Sequence, residues 1–283
     1  MNRFASGRKR HYYGKSDVIA YRLNRDGRAA HGSGPIFGAN VSMLLYGDAF
    51  WKTYTEGDNT GLIATDSMKN FIQQETMNFE GNDLEAYCRF LGEKFLGIYR
   101  QVEGLQISAF DLPYAPIGGD VAFAPAGPER ATARIECDRS GIVEIASGLS
   151  GFKLLRLGGS AFQGFVRDRY TTLPDLKNRP LLMWLDMEWR YIDADAAFTQ
   201  GMAAEQARQI VREVFASTES GSIQQLIHRI GTDVLAAIPA IAELDLEANN
   251  RTWDTIAEQA DVLGVYTDPR PAYGCLGLTL KRT

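Results

Sequence analysis

One order of elements occurs twice in this chain of 283 residues. In the first half, Val18 to Leu23 and Asn40 to Tyr54 alternate apolar and polar residues and are rich in strand formers. Asn24-Arg25-Asp26-Gly27 supplies turn chemistry between them. Residues 66 to 77 then read as a helix, with Thr65 or Asp66 as its N-cap. Leu84, Tyr87, Cys88, Leu91, Phe95, Ile98, Tyr99 and Val102 recur at three- and four-residue spacing and make one face of a second helix. Strands over Leu105 to Leu112 and Arg130 to Cys137 follow, separated by an exposed Pro/Gly/Ala-rich loop, Pro113 to Pro128. The second half repeats the pattern. Ile142 to Leu157 and Leu181 to Ile192 read as strands, Ala203 to Phe215 and Ser222 to Ala237 as helices, and Ile241 to Glu247 and Gly274 to Lys281 as strands. Strand pairs flanking helix pairs, twice over, predict an α+β protein with antiparallel sheets and two domains, 1–139 and 140–283.

Composition narrows the function. A net charge of −5 argues against a nucleic-acid footprint, and Arg8-Lys9-Arg10 is an isolated basic cluster that reads as a solvated tail. No apolar run approaches the roughly 18 residues that span a bilayer. The stretch MNRFASGRKRHYYGK has no signal-peptide core, and LTLKRT is not a Ser-Lys-Leu address, so a cytoplasmic location is expected. Cys88, Cys137 and Cys275 are too far apart for a metal or redox motif, and His11, His31 and His228 form no ligand cluster. A bound catalytic metal is therefore not expected.

Four short motifs remain. Tyr13-Gly14-Lys15-Ser16-Asp17-Val18 places a lysine at a strand start. Ile63 to Asn70 (IATDSMKN) places Thr65 and Asp66 at a helix start, where free N–H groups favour an anion. Ser160 to Arg179 (SAFQGFVRDRYTTLPDLKNR) sets Phe162 and Arg179 seventeen residues apart. An aromatic face can fix a planar ring, and a guanidinium offers two parallel donors to an anionic edge. Ser222-Ile223-Gln224-Gln225 opens the last helix.

Together these motifs resemble the urate oxidase (uricase) family over nearly the whole chain. The resemblance implies two tandem tunnelling-fold domains with helices on one face of each sheet. It further implies a homo-oligomer, a tetramer, whose sheets close into a barrel with sites between subunits. The partners implied are a urate-like substrate and dioxygen, with no cofactor. Lys15 and Thr65 match the family's proton relay, and Asp66 stands beside it where the backbone receives the ring's polar edge. Phe162 matches the stacking ring and Arg179 the clamp. Ile223, through its backbone, and Gln224 match the groups on the far edge. Arg167 and Asp168 read as structural ion pairs.

The family also carries an Asn-x-His segment after a proline. Anchored on Ile238-Pro239, that segment falls on Ala240 and Ala242, which can neither donate a proton nor coordinate anything. Asn249-Asn250, about ten residues further on, offer a second placement, but no shift also supplies a histidine, and on this reading urate oxidation is slow. The alternatives are a different nitrogen heterocycle, pterin- or azine-like, in a biosynthetic pathway, or a purine-binding protein without catalysis.

Overall fold

The computed structural model describes residues 11–25, 35–119, 121–199, 203–259 and 263–282. Arg8-Lys9-Arg10, the Asp26-Gly27 half of the first turn and His31 lie outside these. The chain forms two compact units, Met1–Gly148 with Arg190–Met202, and Leu149–Trp189 with Ala203–Thr283. Among the described residues no helix is long and apolar enough to cross a membrane.

The first unit is built on β1 (Tyr13–Leu23), β2 (Ile36–Tyr46), β3 (Gly104–Asp111) and β6 (Arg130–Asp138), antiparallel and adjacent in that order. Between β3 and β6, β4 (Tyr114–Gly118) and β5 (Ala122–Pro125) make a small hairpin in the stretch expected to be a loop. α1 (Trp51–Glu56) follows β2, and α2 (Thr65–Thr76) and α3 (Leu84–Ile98) pack on the sheet. The strand expected over Asn40 to Tyr54 stops at Tyr46, because Gly47-Asp48 turns the chain into a helical segment. The stripe on α3 is the one the spacing predicts up to Phe95. Ile98 is exposed because the helix ends there, while Val102 is buried beyond it. Cys88 is a core residue. Met43, Phe50, Ile72, Leu91, Leu105 and Ile107 fill the same layer. A buried side chain of this size contributes about 1.5–3 kcal/mol.

In the second unit the strands run in the order β7, β8, β9, β12. β7 (Gly141–Phe162) and β8 (Leu176–Tyr191) are longer than their alternation alone suggests, and each continues from one unit into the other. β9 (Ile241–Arg251) pairs with β12 (Gly274–Lys281), and β10 (Thr255–Gln259) and β11 (Leu263–Tyr266) form a hairpin between them. The short α4 (Ala196–Thr199) belongs to the first unit; α5 (Ala203–Ser217) and α6 (Ile223–Ala237) belong to the second. α6 lies close on β9 and β12. A Cβ on Gly231 would meet Leu280 Cδ1 at 2.6 Å and Leu246 Cδ1 at 3.0 Å. Leu244, Leu246 and Ala248 alternate toward the helices, with Leu181, Met183, Leu185 and Trp189 beside them on β8.

Candidate active site

The start of α6 is set by its own side chains. Ser222 is the N-cap, and its Oγ accepts from the Gln225 N–H at 3.1 Å. Gln225 reaches back, its Oε1 accepting from the Gly221 N–H at 2.8 Å. The first intrahelical bond runs from Leu226 N to Ser222 O, so the N–H groups of Ile223 and Gln224 precede the helical ladder. The Ile223 side chain is buried and anchors the turn, while Gln224 is exposed.

Beside this turn lies a cavity of about 250 Å³. Phe162, Arg179, Ile223 and Gln224 all line it, so four of the residues singled out in the sequence converge. Arg179 Cζ lies 5.6 Å from the Phe162 ring centroid. Phe162 is stacked on Phe165, with centroids 4.9 Å apart and planes 14° apart. Burial pushes the Arg179 pKa below its ordinary value, and its buried Nε has no partner among the described residues. A half-desolvated guanidinium with unspent donors in an aromatic-walled cavity is suited to a flat anion. Arg167 pairs with Asp175 at 3.4 Å, whereas Asp168 caps its own turn by accepting from Tyr170 N and Thr171 Oγ1.

Asn250, Leu173, Gly274, Cys275 and Leu276 also line the cavity. Asn250 corrects the sequence reading. Ala240 and Ala242 lie past the C-terminal end of α6, and that helix of 15 residues is about 22 Å long. Ala240 is 4% exposed, and the corner around it is tied by Arg282. The Arg282 guanidinium donates to the Leu235, Ile238 and Ile241 carbonyls, and its N–H donates to Ala242 O. The proline at 239 marks a helix end, not a site. Of the alternative pair Asn249-Asn250, the register selects Asn250. Leu244, Leu246 and Ala248 point toward the helices, and Asn250 is the first polar residue to continue their row.

In the first unit, Thr65 and Asp66 occupy the first turn of α2, but neither caps it. The N-cap is Ala64, with no side-chain cap hydrogen bond. The helix start therefore keeps its N–H groups available. Asp66 accepts from Lys69 Nζ at 2.6 Å and Asn70 Nδ2 at 3.0 Å. The Lys69 hydrogen bond and charge hold its carboxyl below the usual range, and the charge of Lys15 adds to this. Lys15 precedes a bulge in β1, where Asp17 at φ 58° accepts from Asn40 Nδ2 at 3.0 Å. Gly14 permits the close pairing before it, since a Cβ there would lie 1.9 Å from Met43 O. Tyr13 joins the two segments: its hydroxyl accepts from the Ile63 N–H at 3.0 Å, and burial pushes its pKa up to about 12. No hydrogen bond joins Lys15 to Thr65 among the described residues.

The histidines are elsewhere. His11 bonds Gly47 O at 2.9 Å and packs on Trp51, and His228 is exposed on α6. Among the described residues no group of three or more His, Cys, Asp or Glu side chains could hold a metal ion.

Comparison with known proteins gives a consistent set of relatives. The uricase family model matches residues 145–270. A uricase from Haloferax volcanii is 33% identical over 88% of this chain and 90% of its own length. The uric acid degradation bifunctional protein of Bacillus sp. (strain TB-90) is 35% identical over 93% of this chain. This chain spans 58% and 60% of the length of that protein and of a Bacillus subtilis counterpart. Among solved structures, the urate oxidase of Bacillus sp. TB-90 superposes with a TM-score of 0.86 at 34% identity, covering 96% of this chain and all of that one. The uricase of Arthrobacter globiformis gives 0.83 at 29% identity, covering 96% and 93%.

Proposed function

The chain belongs to the uricase family, and on that premise we propose that it oxidises urate with dioxygen without a cofactor. Urate, dioxygen and water give 5-hydroxyisourate and hydrogen peroxide, and the ionised substrate itself supplies the electrons. The protein supplies position and proton transfer. The observation that carries this reading is the convergence of Phe162, Arg179, Ile223, Gln224 and Asn250 on one cavity. Phe162 stacks on the ring and Arg179 forks onto its oxygen and nitrogen. Gln224 and the Ile223 N–H hold the opposite edge.

With Asn250 at the cavity, the family's dioxygen-holding asparagine has a counterpart. The asparagine half of the expectation built on Ala240 and Ala242 is thereby removed, and the absence of a histidine stands. The position two residues further on is Thr252, an exposed residue in place of the family's histidine. A hydroxyl can pass a proton along a hydrogen bond but cannot store one near neutral pH as imidazole does. Proton movement therefore falls to Lys15 and Thr65, contributed by a second subunit. A homotetramer of paired tunnelling-fold domains, 1–139 and 140–283, with a cytoplasmic location, completes the reading.

The test is loss of urate absorbance with stoichiometric peroxide release, in protein treated with a chelator. Wild type turns over; Arg179→Ala loses about 2–5 kcal/mol of urate affinity, as for a buried charge-assisted pair. Tight urate binding without peroxide would make this a binding protein. Indifference to urate would point to another heterocycle.

A further inference from the structure

On β9, successive side chains point to opposite faces of the sheet. Asn250 continues the row that faces α6 and lines the cavity. Arg251 points the other way and meets two aromatic rings. Its Cζ lies 3.8 Å from the Trp184 centroid and 3.6 Å from the Tyr273 centroid. Lys153 Nζ sits 4.8 Å from the same Trp184 ring. Cation, ring, cation and ring thus follow one another from β7 to β8 to β9 to the residue before β12.

The placement of this stack matters. Tyr273 immediately precedes Gly274, and Gly274 is the ladder partner of Asn250. Both Asn250 and Gly274 line the cavity. The stack therefore grips the far end of the β9–β12 ladder from behind, one residue from each of two cavity positions. Arg251 Nε is buried with no hydrogen-bond partner among the described residues, and the guanidinium lies against the two rings. Nothing in the stack is among the residues that line the cavity.

We propose that Arg251, clamped between Trp184 and Tyr273, is a positioning residue for the oxidation reaction, acting through the β9–β12 backbone to hold Asn250 over the cavity. This rests on the function proposed above. A reacting group misplaced by about 1 Å can cost on the order of 10²-fold in rate. Loss of the clamp frees the strand ends without disturbing Phe162 or Arg179, so turnover suffers and substrate binding does not.

The decisive experiment is a double-mutant cycle on the full chain with urate. Arg251→Ala lowers kcat about 10- to 100-fold, the range expected of a displaced group, and leaves KM within about threefold. In an Asn250→Ala background the same change has little further effect on kcat, because the residue through which Arg251 acts is gone. Where Arg251→Ala does not fold, Arg251→Lys, which keeps a cation but loses the flat stack, lowers kcat in the same direction by less. Effects that multiply in the double variant, or a lowered Tm with kcat unchanged, overturn the proposal. Hydrogen exchange without substrate gives a second readout: amides 249–251 and 274–276 exchange faster in Arg251→Ala than in wild type. Unchanged exchange also overturns it. Wild type that ignores urate while this exchange difference holds would sink the proposed reaction and leave the clamp standing.

Discussion

The start of α3 and the start of α6 are the same construction put to opposite uses. Each opens the second long helix of its half, and each helix is 15 residues long. Each is capped by a short polar side chain, Asp83 accepting from Ala86 N at 2.7 Å and Ser222 from Gln225 N at 3.1 Å. The first two helical residues are an aliphatic one and an acid or amide, Leu84-Glu85 and Ile223-Gln224. At α6 the second of these is exposed beside a cavity. At α3 it is 8% exposed, and the Tyr191 hydroxyl donates to its carboxyl at 2.9 Å, with Ser147 beside it. One helix start is open to a ligand, and the other is filled by the chain's own carboxyl. Burial, and then the charge of Asp83, push Glu85 from 4.5 up to about 7. A helix N-terminus is thus no site by itself; what packs against its first turn decides.

The largest expected effect concerns the open end. Asn250→Ala should lower kcat about 10²-fold or more, as losing one preorganised donor does. Ala240→Asn with Ala242→His should bring no gain in urate turnover. It should destabilise by about 1–3 kcal/mol, because an amide is buried at Ala240 without a prepared partner. Steady-state kinetics and denaturant melts of both variants check this. A rise in turnover with the alanine pair replaced would return the site to the other end of α6.

The closed end predicts an effect of the next size. The folded chain keeps the Glu85 proton up to about pH 7, whereas the unfolded chain releases it near 4.5. Between those values the folded state binds more protons, so stability falls as pH rises through that window. At about 1.4 kcal/mol per pH unit the loss is about 3–4 kcal/mol. Glu85→Gln, which mimics the protonated carboxyl, should match wild type near pH 5 and exceed it by about 1–3 kcal/mol at pH 8.5. Melts at the two pH values decide. A wild type more stable than the variant at pH 8.5 would mean that the helix start stabilises the ionised carboxylate after all.

The smallest effect separates the two caps. Ser222→Ala and Asp83→Ala should each cost about 1 kcal/mol of stability. Only Ser222→Ala should also raise KM for urate, because only that turn presents N–H groups to a cavity. Equal KM in the two variants would remove the Ile223 N–H from the site.

Much of this is legible in the sequence. The repeated order of strands and helices followed from periodicity, since half-buried strands and one-sided helices must alternate at 2.0 and 3.6 residues. Phe162, Arg179, Ile223 and Gln224 are legible through the resemblance of their segments to the family's motifs, and each rests on a strand or a helix start that keeps such a segment together. Asn250 is visible in the sequence only as an alternative to Ala240, because choosing between them depends on where β9 ends relative to α6, which is a matter of tertiary register. Pro239 drew the motif to the wrong end of the helix because proline marks helix ends whether or not a site is near. The stretch after Tyr46 misled for another reason. Phe50, Trp51 and Tyr54 are strand-forming by composition, but Gly47-Asp48 and the packing of Phe50 against Tyr13 bend the segment into a helical turn.

The seal over α3 also limits how this chain can change. Glu85 and Tyr191 are 106 residues apart in sequence, yet each completes the other. Losing the hydroxyl alone strips a buried acid of a donor, and losing the acid alone leaves a phenol and an amide turn facing an emptied space. Neither intermediate is neutral, so reopening the second helix start needs two coordinated substitutions in distant segments. Of these two matched helix starts only that of α6 is left open, so a second opening of the same kind comes most simply with a second copy of the chain.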